Sequence, residues 1–307
     1  MSTLAIEANG LGRDYGQVRA LDALDLAVSP GALVGLLGPN GAGKTTAMLL
    51  LATLLAPGRG SARIFGHDVL HERRAARRRL GLVFQEPTVD PFLTVRENLE
   101  FAAAMAGVPR PEVRRAVDGA LERMGLDPRA DQLARELSGG WRRLADIARA
   151  TLHAPALLIL DEPTVGLDPE HRERLWGFLD AERREHGTAV LFSTHYLDEA
   201  EPADRVLMLA KGRVVADGTP RALLAPFGDA VLEVDGPGAA AFAKALTRDG
   251  LARLVVPSEG AVRIGLDGRK ELALERAAAA AGLSRSVLRA PTLEDAYFAR
   301  TGARVAG

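Results

Sequence analysis

The sequence predicts an α/β fold built on a largely parallel sheet, followed by a small α+β unit. Three observations predict it. Gly38-Pro39-Asn40-Gly41-Ala42-Gly43-Lys44-Thr45-Thr46 has the phosphate-loop form G-x-x-x-x-G-K-[ST] and joins the apolar run Leu33-Val34-Gly35-Leu36-Leu37 to an apolar helical stretch. Two more apolar runs, 156–160 and 189–193, read as buried strands with a helical stretch between them. After Pro226-Phe227-Gly228 the pattern changes to short segments that need a core of their own. A phosphate-loop NTPase core over 1–228 and a small C-terminal α+β domain over 229–307 are therefore expected.

Composition bounds the reading. The 307 residues suffice for one large and one small domain, and 47% apolar residues allow a substantial core. The 39 basic and 40 acidic residues nearly cancel, so no global field recommends nucleic acid or an anionic membrane. Cysteine is absent, which removes disulfides and thiolate chemistry. No apolar run reaches the roughly 18 residues of a membrane span, and the N-terminus lacks a signal pattern. The chain is expected to be soluble, with any spanning left to another chain.

Taken in order, 4–8 and 24–28 read as short strands with turns between them, and Tyr15 lies among the turns. The phosphate loop leads into a helix near 45–55, which Pro57-Gly58-Arg59-Gly60 ends. A strand near 61–65 and a basic helix over 71–79 with a solvated face follow. The short strand Gly81-Leu82-Val83-Phe84 stops at Gln85. Residues 94–136 read as an all-helical insertion, with Thr94 as cap and breaks at Gly107-Val108-Pro109 and Gly125-Leu126-Asp127-Pro128. Ser138-Gly139-Gly140 opens a helix to about 152, and another runs near 169–185. Residues 206–209 and 213–215 suggest a hairpin around Lys211-Gly212, and 220–224 a last helical turn.

In the C-terminal part, a strand at 231–234, a helix near 239–248, strands near 252–256 and 261–265 and a helix near 270–281 fit a ferredoxin-like β-α-β-β-α order. Thr292 with Asp295 caps a final helix carrying Leu293, Ala296 and Tyr297 on one face.

The chemistry concentrates at two strand ends. In the phosphate loop, successive backbone N–H groups converge and the following helix adds its positive dipole end. Lys44 supplies a charge for β- and γ-phosphates, and the Thr45 hydroxyl suits magnesium. Asp161 and Glu162 end the buried strand, where ligands of open parallel sheets bind. Asp161 suits a magnesium ion, directly or through water, and Glu162 can polarise a water for in-line attack on a γ-phosphate.

Phosphate loop, Leu137-Ser138-Gly139-Gly140, Asp161-Glu162 and His195, in this order, resemble the nucleotide-binding subunit of ATP-binding cassette transporters over residues 1 to about 225. The resemblance implies an antiparallel β subdomain and an all-helical signature subdomain around the NTPase core. It implies ATP and Mg2+ as cofactors, cradled by Gly38, Pro39, Asn40, Gly41, Ala42, Gly43, Lys44, Thr45 and Thr46. Tyr15 would stack on the adenine, with Val18 packing beside it. Gln85 would sense the metal and the γ-phosphate, and His195 would contact that phosphate. Lys44, Gln85, Glu162 and His195 are thus the catalytic candidates, and Thr45, Gln85 and Asp161 the metal ligands.

Ser138, Gly139 and Gly140 start a helix and so make a second anion site. In the family it closes on ATP held by a partner, and Asp168 belongs to a loop crossing between subunits. The implied machine is a head-to-tail dimer, with a second copy or a related ATPase subunit, sandwiching two ATP molecules. It would sit peripherally at the cytoplasmic face of the membrane, on a separate transmembrane permease; nucleic acid is not an expected partner.

The tail Ala290-Pro291-Thr292-Leu293-Glu294-Asp295-Ala296-Tyr297-Phe298 resembles the drug- and lipid-exporter branch, which makes export the expected direction. An importer motor, or a non-transport cassette ATPase on a nucleic-acid or ribosome complex, is the alternative. The translation-factor type usually carries two cassettes per chain. A chromosome-maintenance ATPase needs long coiled coil between Lys44 and Ser138, and no sustained heptads occur there. A phosphate-loop kinase has no use for the second anion cradle. His67 and His71, spaced i,i+4, lack further metal ligands. One departure stands out: Trp141 occupies a position where the family usually has glutamine or another unbranched residue. Its bulk is expected to alter the packing of the signature helix or to face a partner.

Overall fold

Residues 3–258 and 261–302 are described in the computed structural model. Their contacts form two compact units. The first comprises Met1–Leu36, Asn40–Thr194 and Lys211–Arg213; the second comprises Leu37–Pro39, His195–Ala210 and Val214–Gly307.

The first unit opens with β1 (Ile6–Tyr15) and β2 (Val18–Val28), an antiparallel hairpin. These strands are much longer than the two short ones expected. The glycines at 10 and 12 lie in a stretch of shifted register between Ala8 and Arg13. Buried Leu11, Leu21, Leu24 and Leu26 keep the bulged strands on the core. Next come β3 (Leu33–Leu37), α1 (Lys44–Leu51), β4 (Arg59–Ile64) and β5 (His67–Asp68). The antiparallel sheet runs β2-β1-β4-β5. The basic segment forms only the short helix α2 (Arg73–Arg77), ahead of β6 (Leu80–Val83).

The helical insertion holds α3 (Val95–Ala106) and α4 (Arg110–Met124), and α5 (Gly139–Thr151) follows it. Thr94 and Glu97 form a reciprocal capping box at α3, and Gly107 and Gly125 end α3 and α4. The chain continues through β7 (Leu157–Leu160), α6 (Pro169–His186) and β8 (Ala189–Thr194). In sheet order β3-β8-β7-β6 are neighbours. Leu160 is in parallel register with Val83 on one side and Phe192 on the other, so β6 and β7 end level and β8 runs two residues further. All residues of β7 and β8 are buried, as continuous apolar runs require.

The second unit contains the paired strands β9 (Arg205–Ala210) and β10 (Arg213–Gly218), then α7 (Pro220–Leu224). A second antiparallel sheet follows, built from β11 (Ala230–Asp235), α8 (Ala239–Arg248), β12 (Ala252–Ser258), β13 (Ala261–Leu266), α9 (Lys270–Ala279), β14 (Arg285–Arg289) and α10 (Leu293–Thr301). Its order is β12-β13-β11-β14. The expected β-α-β-β-α pattern is therefore completed by a further strand, β14. That strand escapes pattern reading because it is a partly exposed edge with only two apolar residues, Val287 and Leu288.

Contacts also cross the boundary expected after Gly228. The Tyr297 hydroxyl on α10 donates to the Leu209 carbonyl on β9 at 3.3 Å, and α10 also packs on α7. Among the described residues, no helix is long and apolar enough to cross a membrane.

Fully buried Asp295 anchors α10. Arg289 donates to its two oxygens at 2.6 and 2.7 Å, and Arg263 lies 3.3 Å away. Burial opposes its ionisation, but bonds from Arg289 and the Thr292 N–H, with both arginine charges, outweigh this and hold its carboxyl below the usual range. A depressed carboxyl contributes stability that is full above its unfolded value, about 4, and fades as pH falls through the lower folded value. Asp295→Ala should cost about 3–5 kcal/mol by taking the buried carboxylate away from two arginines. Urea denaturation of the full chain at neutral pH checks the loss, and the same titration below about pH 4 should show the gap between parent and variant narrowing.

Candidate nucleotide site

The site of the first unit is built at the ends of β3, β6 and β7. After β3 the chain turns through the glycine-rich loop into α1. Gly43, the residue before α1, has φ 105°, and a Cβ there would sit 2.6 Å from the Ala20 carbonyl oxygen on β2. Only glycine meets both demands. The Ala42 carbonyl accepts from the Gly212 N–H at 3.0 Å, and the Gly212 carbonyl accepts from the Asp22 N–H at 2.7 Å. The loop is thereby fastened to β2. Asn40, Gly41 and Thr45 are exposed, whereas Ala42 and Lys44 are buried.

Lys44 and Glu162 come together: Nζ lies 3.5 Å from Oε1, with both side chains buried. Asp161, beside Glu162, is also buried. The Ser193 hydroxyl at the end of β8 donates to Asp161 Oδ1 at 2.5 Å and accepts from the Glu162 N–H at 2.9 Å. Glu162 has φ 47°, a left-handed conformation that costs a non-glycine residue about 1–2 kcal/mol. The surrounding bonds fix it there, so the carboxylate is aimed by a strained backbone.

The chief fixing group is Arg143 on α5, only 2% exposed. Its guanidinium donates to the carbonyls of Asp161 (2.9 Å), Glu162 (3.0 Å) and Pro163 (3.0 Å) after β7, and to Gln85 (3.1 Å) and Phe84 after β6. Burial pushes its pKa down, while the charges of Asp146, Asp161, Glu86 and Glu162 oppose that; a guanidinium stays charged throughout. The neighbouring buried Asp146 accepts from the Thr88 N–H (3.1 Å) and hydroxyl (2.9 Å), fixing the segment after Gln85. The Gln85 side chain itself is exposed.

Tyr15 and Val18 are register partners at the tip of the β1–β2 hairpin, 46% and 67% exposed. The Arg13 guanidinium lies 5.6 Å from the Tyr15 ring centre. Ser138 caps α5, its Oγ accepting from the Trp141 N–H at 3.4 Å, and Ser138 and Gly139 are exposed. Asp168 caps α6 through the His171 N–H at 3.0 Å. The bonds from the His171 backbone and then its ring hold the Asp168 carboxyl below its usual range.

Gly38, Pro39 and His195 belong to the second unit, where the His195 ring lies against Tyr196 at 4.2 Å. Among the described residues no cluster of three or more His, Cys, Asp or Glu could hold a metal, and His67 Nδ1 lies 3.5 Å from Glu72.

Arg143, Asp146, Ser193 and His171 were not legible as site residues from motifs. A signal existed for two: Arg143 and Asp146 lie on the helix face that also carries buried Ile147 and Ala150, where a solvated charge does not belong. Arg143→Met should destabilise the chain by more than about 3 kcal/mol, because it leaves up to five carbonyls to compete for water. It should also abolish nucleotide turnover. Denaturation and phosphate-release assays on the same preparation check both effects.

Residues 21–165 match the family model described as ABC transporter. The daunorubicin/doxorubicin resistance ATP-binding protein DrrA of Streptomyces peucetius is 44% identical over 233 residues, 76% of this chain and 70% of that protein. A Nod factor export ATP-binding protein I of Paraburkholderia xenovorans is 40% identical over 261 residues, 84% of each chain. The solved dimeric structure of the ATP-binding cassette MJ0796, in a post-hydrolysis state with ADP and Pi, is similar with a TM-score of 0.65 and 26% identity, covering 70% of this chain and 98% of that one. With the glycine cradle, the Lys44–Glu162 pair and the capped serine-glycine helix in one chain, these likenesses have one reading: the chain belongs to the ABC transporter family, as one of its ATP-binding, ATP-hydrolysing cassettes.

Proposed function

We propose that this chain is the ATPase motor of an exporter, working as a head-to-tail dimer that grips two ATP molecules between subunits. The second subunit is another copy or a related ATPase, and a separate transmembrane permease carries the cargo at the cytoplasmic face of the membrane. The observation that carries the hydrolytic part is the buried Lys44–Glu162 pair at 3.5 Å. Export is supported by two relatives, one a drug-resistance and the other a Nod factor export ATP-binding protein. The dimer is supported by the dimeric form of the similar cassette. A net charge of −1 gives no reason to add nucleic acid as a partner.

In this reading Gly38, Pro39, Asn40, Gly41, Ala42, Gly43, Thr45 and Thr46 surround the phosphates, and Tyr15 offers its ring to the base with Val18 beside it. Lys44 turns from Glu162 to the β- and γ-phosphate oxygens. Glu162 then accepts a hydrogen bond from a water and aims it in line at the γ-phosphorus. His195 contacts the γ-phosphate. Ser138, Gly139 and Gly140 of the partner copy donate to that phosphate, with Asp168 at the same junction. ATP and water give ADP and phosphate, the phosphate is no longer tethered across the junction, and the grip relaxes.

The exposed Thr45 hydroxyl, the Gln85 amide and the Asp161 carboxylate are hard oxygen donors that fit Mg2+. Such an ion, arriving with the nucleotide, would neutralise charge on the β- and γ-phosphates. Residues 1–228 form the cassette domain in this proposal and 229–307 a small α+β domain with a regulatory role.

Glu162→Gln should lower steady-state turnover at least about a hundredfold while ATP binding persists, so that an ATP-bound dimer accumulates. Phosphate release and light scattering after size exclusion measure the two effects. Parental turnover would remove Glu162 as the base. Reconstituting the chain with its permease in lipid should raise its ATPase rate, and a rate indifferent to every permease offered would remove the transport assignment.

A further inference from the structure

Trp141 neither hangs free nor distorts its helix. Its indole meets the His171 ring edge to face, with centres 4.5 Å apart and planes at 82°. The Arg129 guanidinium lies 3.9 Å from its ring centre, and that of Arg174 lies 5.5 Å away. The buried His171 fills the angle between α5 and α6. A Cβ on Gly140 would stand 3.0 Å from His171 Cγ, so any side chain at residue 140 would press on the imidazole.

The ring is held from the other side by Asp168. His171 Nδ1 lies 2.7 Å from Asp168 Oδ2, and the His171 N–H donates to Oδ1 at 3.0 Å. A carboxylate only accepts, so Nδ1 carries the shared proton. Nε2 is buried without a hydrogen-bond partner, and its neighbourhood is aromatic and cationic. One rigid stack therefore runs from Asp168 through His171 to Gly140 and Trp141.

We infer that His171 is a positioning residue which locks the serine-glycine tip of α5 to the Asp168 loop, so that both parts of the proposed subunit junction are presented as one body. Trp141 is a second clamp on that ring, through its edge-to-face contact, and supplies packing where an unbranched side chain would leave the ring loose. The stack does not touch phosphate. It sets how well one copy's tip fits the nucleotide of the other, and leaves the nucleotide affinity of the single copy alone. This inference rests on the sandwich-dimer reading above.

The test uses the full chain carrying Glu162→Gln, with ATP-dependent dimerisation followed by light scattering and single-copy affinity followed with a fluorescent ATP analogue at protein concentrations too low for pairing. Adding His171→Ala should weaken dimerisation at least about tenfold, the loss expected for removing a well-packed positioning contact of ~1.4 kcal/mol. The affinity of the single copy should stay within about twofold. His171→Asn keeps a donor for Asp168 and should recover part of the loss, and Trp141→Gln should show a smaller loss of the same kind.

A thermal melt of each variant controls for folding. If dimerisation is unchanged in His171→Ala, or falls only in step with melting temperature and single-copy affinity, the inference is overturned. Ser138→Arg, which blocks the tip itself, separates the two readings. If that variant or the Glu162→Gln parent shows the sandwich reading wrong, by pairing despite the block or failing to pair with ATP, the inference falls with it. If Ser138→Arg abolishes pairing and His171→Ala does not disturb it, the positioning role alone is wrong.

Discussion

A buried guanidinium holds the centre of this cassette in shape. Arg143 leaves water at a cost of several kcal/mol, which only a full set of acceptors can offset. It finds them in the carbonyls that follow β6 and β7, where the chain stops being sheet and its own hydrogen bonds run out. Each such charge-assisted bond is worth about 1.5–3 kcal/mol, so the set outweighs the desolvation. The consequence is geometric. Two strand ends that would otherwise fray are tied to α5, and Glu162 can be kept in a left-handed conformation that a free loop would abandon.

The same economy appears at the helix starts. Ser138 and Asp168 are caps by local chemistry, each accepting from the N–H three residues on. They are also the residues that point towards a partner copy in the proposed assembly. A cap must lie at the rim of the core with its helix dipole behind it, which is where an anion or a second subunit can be met. His171 joins these two caps across the angle between α5 and α6.

The second unit is held by a different principle. Its sheet carries one apolar core, with Leu232, Val234, Ile264 and Leu266 packed under Ala243, Leu246 and Ala273. On the other side lies a compact charge network, in which Arg263 and Arg289 serve Glu233, Glu294 and Asp295. This network orients α10, whose Tyr297 reaches the Leu209 carbonyl. Residues from either side of the expected boundary at Gly228 thus share one unit.

The sequence by itself determined the elements whose signals are local. The phosphate loop, the runs 156–160 and 189–193, the caps at Thr94, Ser138 and Thr292 and the acidic strand end at Asp161-Glu162 are all readable because propensity, periodicity and capping act within a few residues. What the tertiary structure decided is whatever depends on partners far along the chain. The bulged continuity of β1 and β2 replaces the short strands and turns expected there, because burial of Leu11 and Leu21 outweighs local preference. The edge strand β14 exists because β11 offers it hydrogen bonds. Arg143 has its role because chain separated by 18 to 59 residues brings it five carbonyls. Trp141, ambiguous as a lone substitution in a motif, acquires a place because His171 lies across from it. Packing and desolvation are properties of neighbours in space, and no window of sequence contains them.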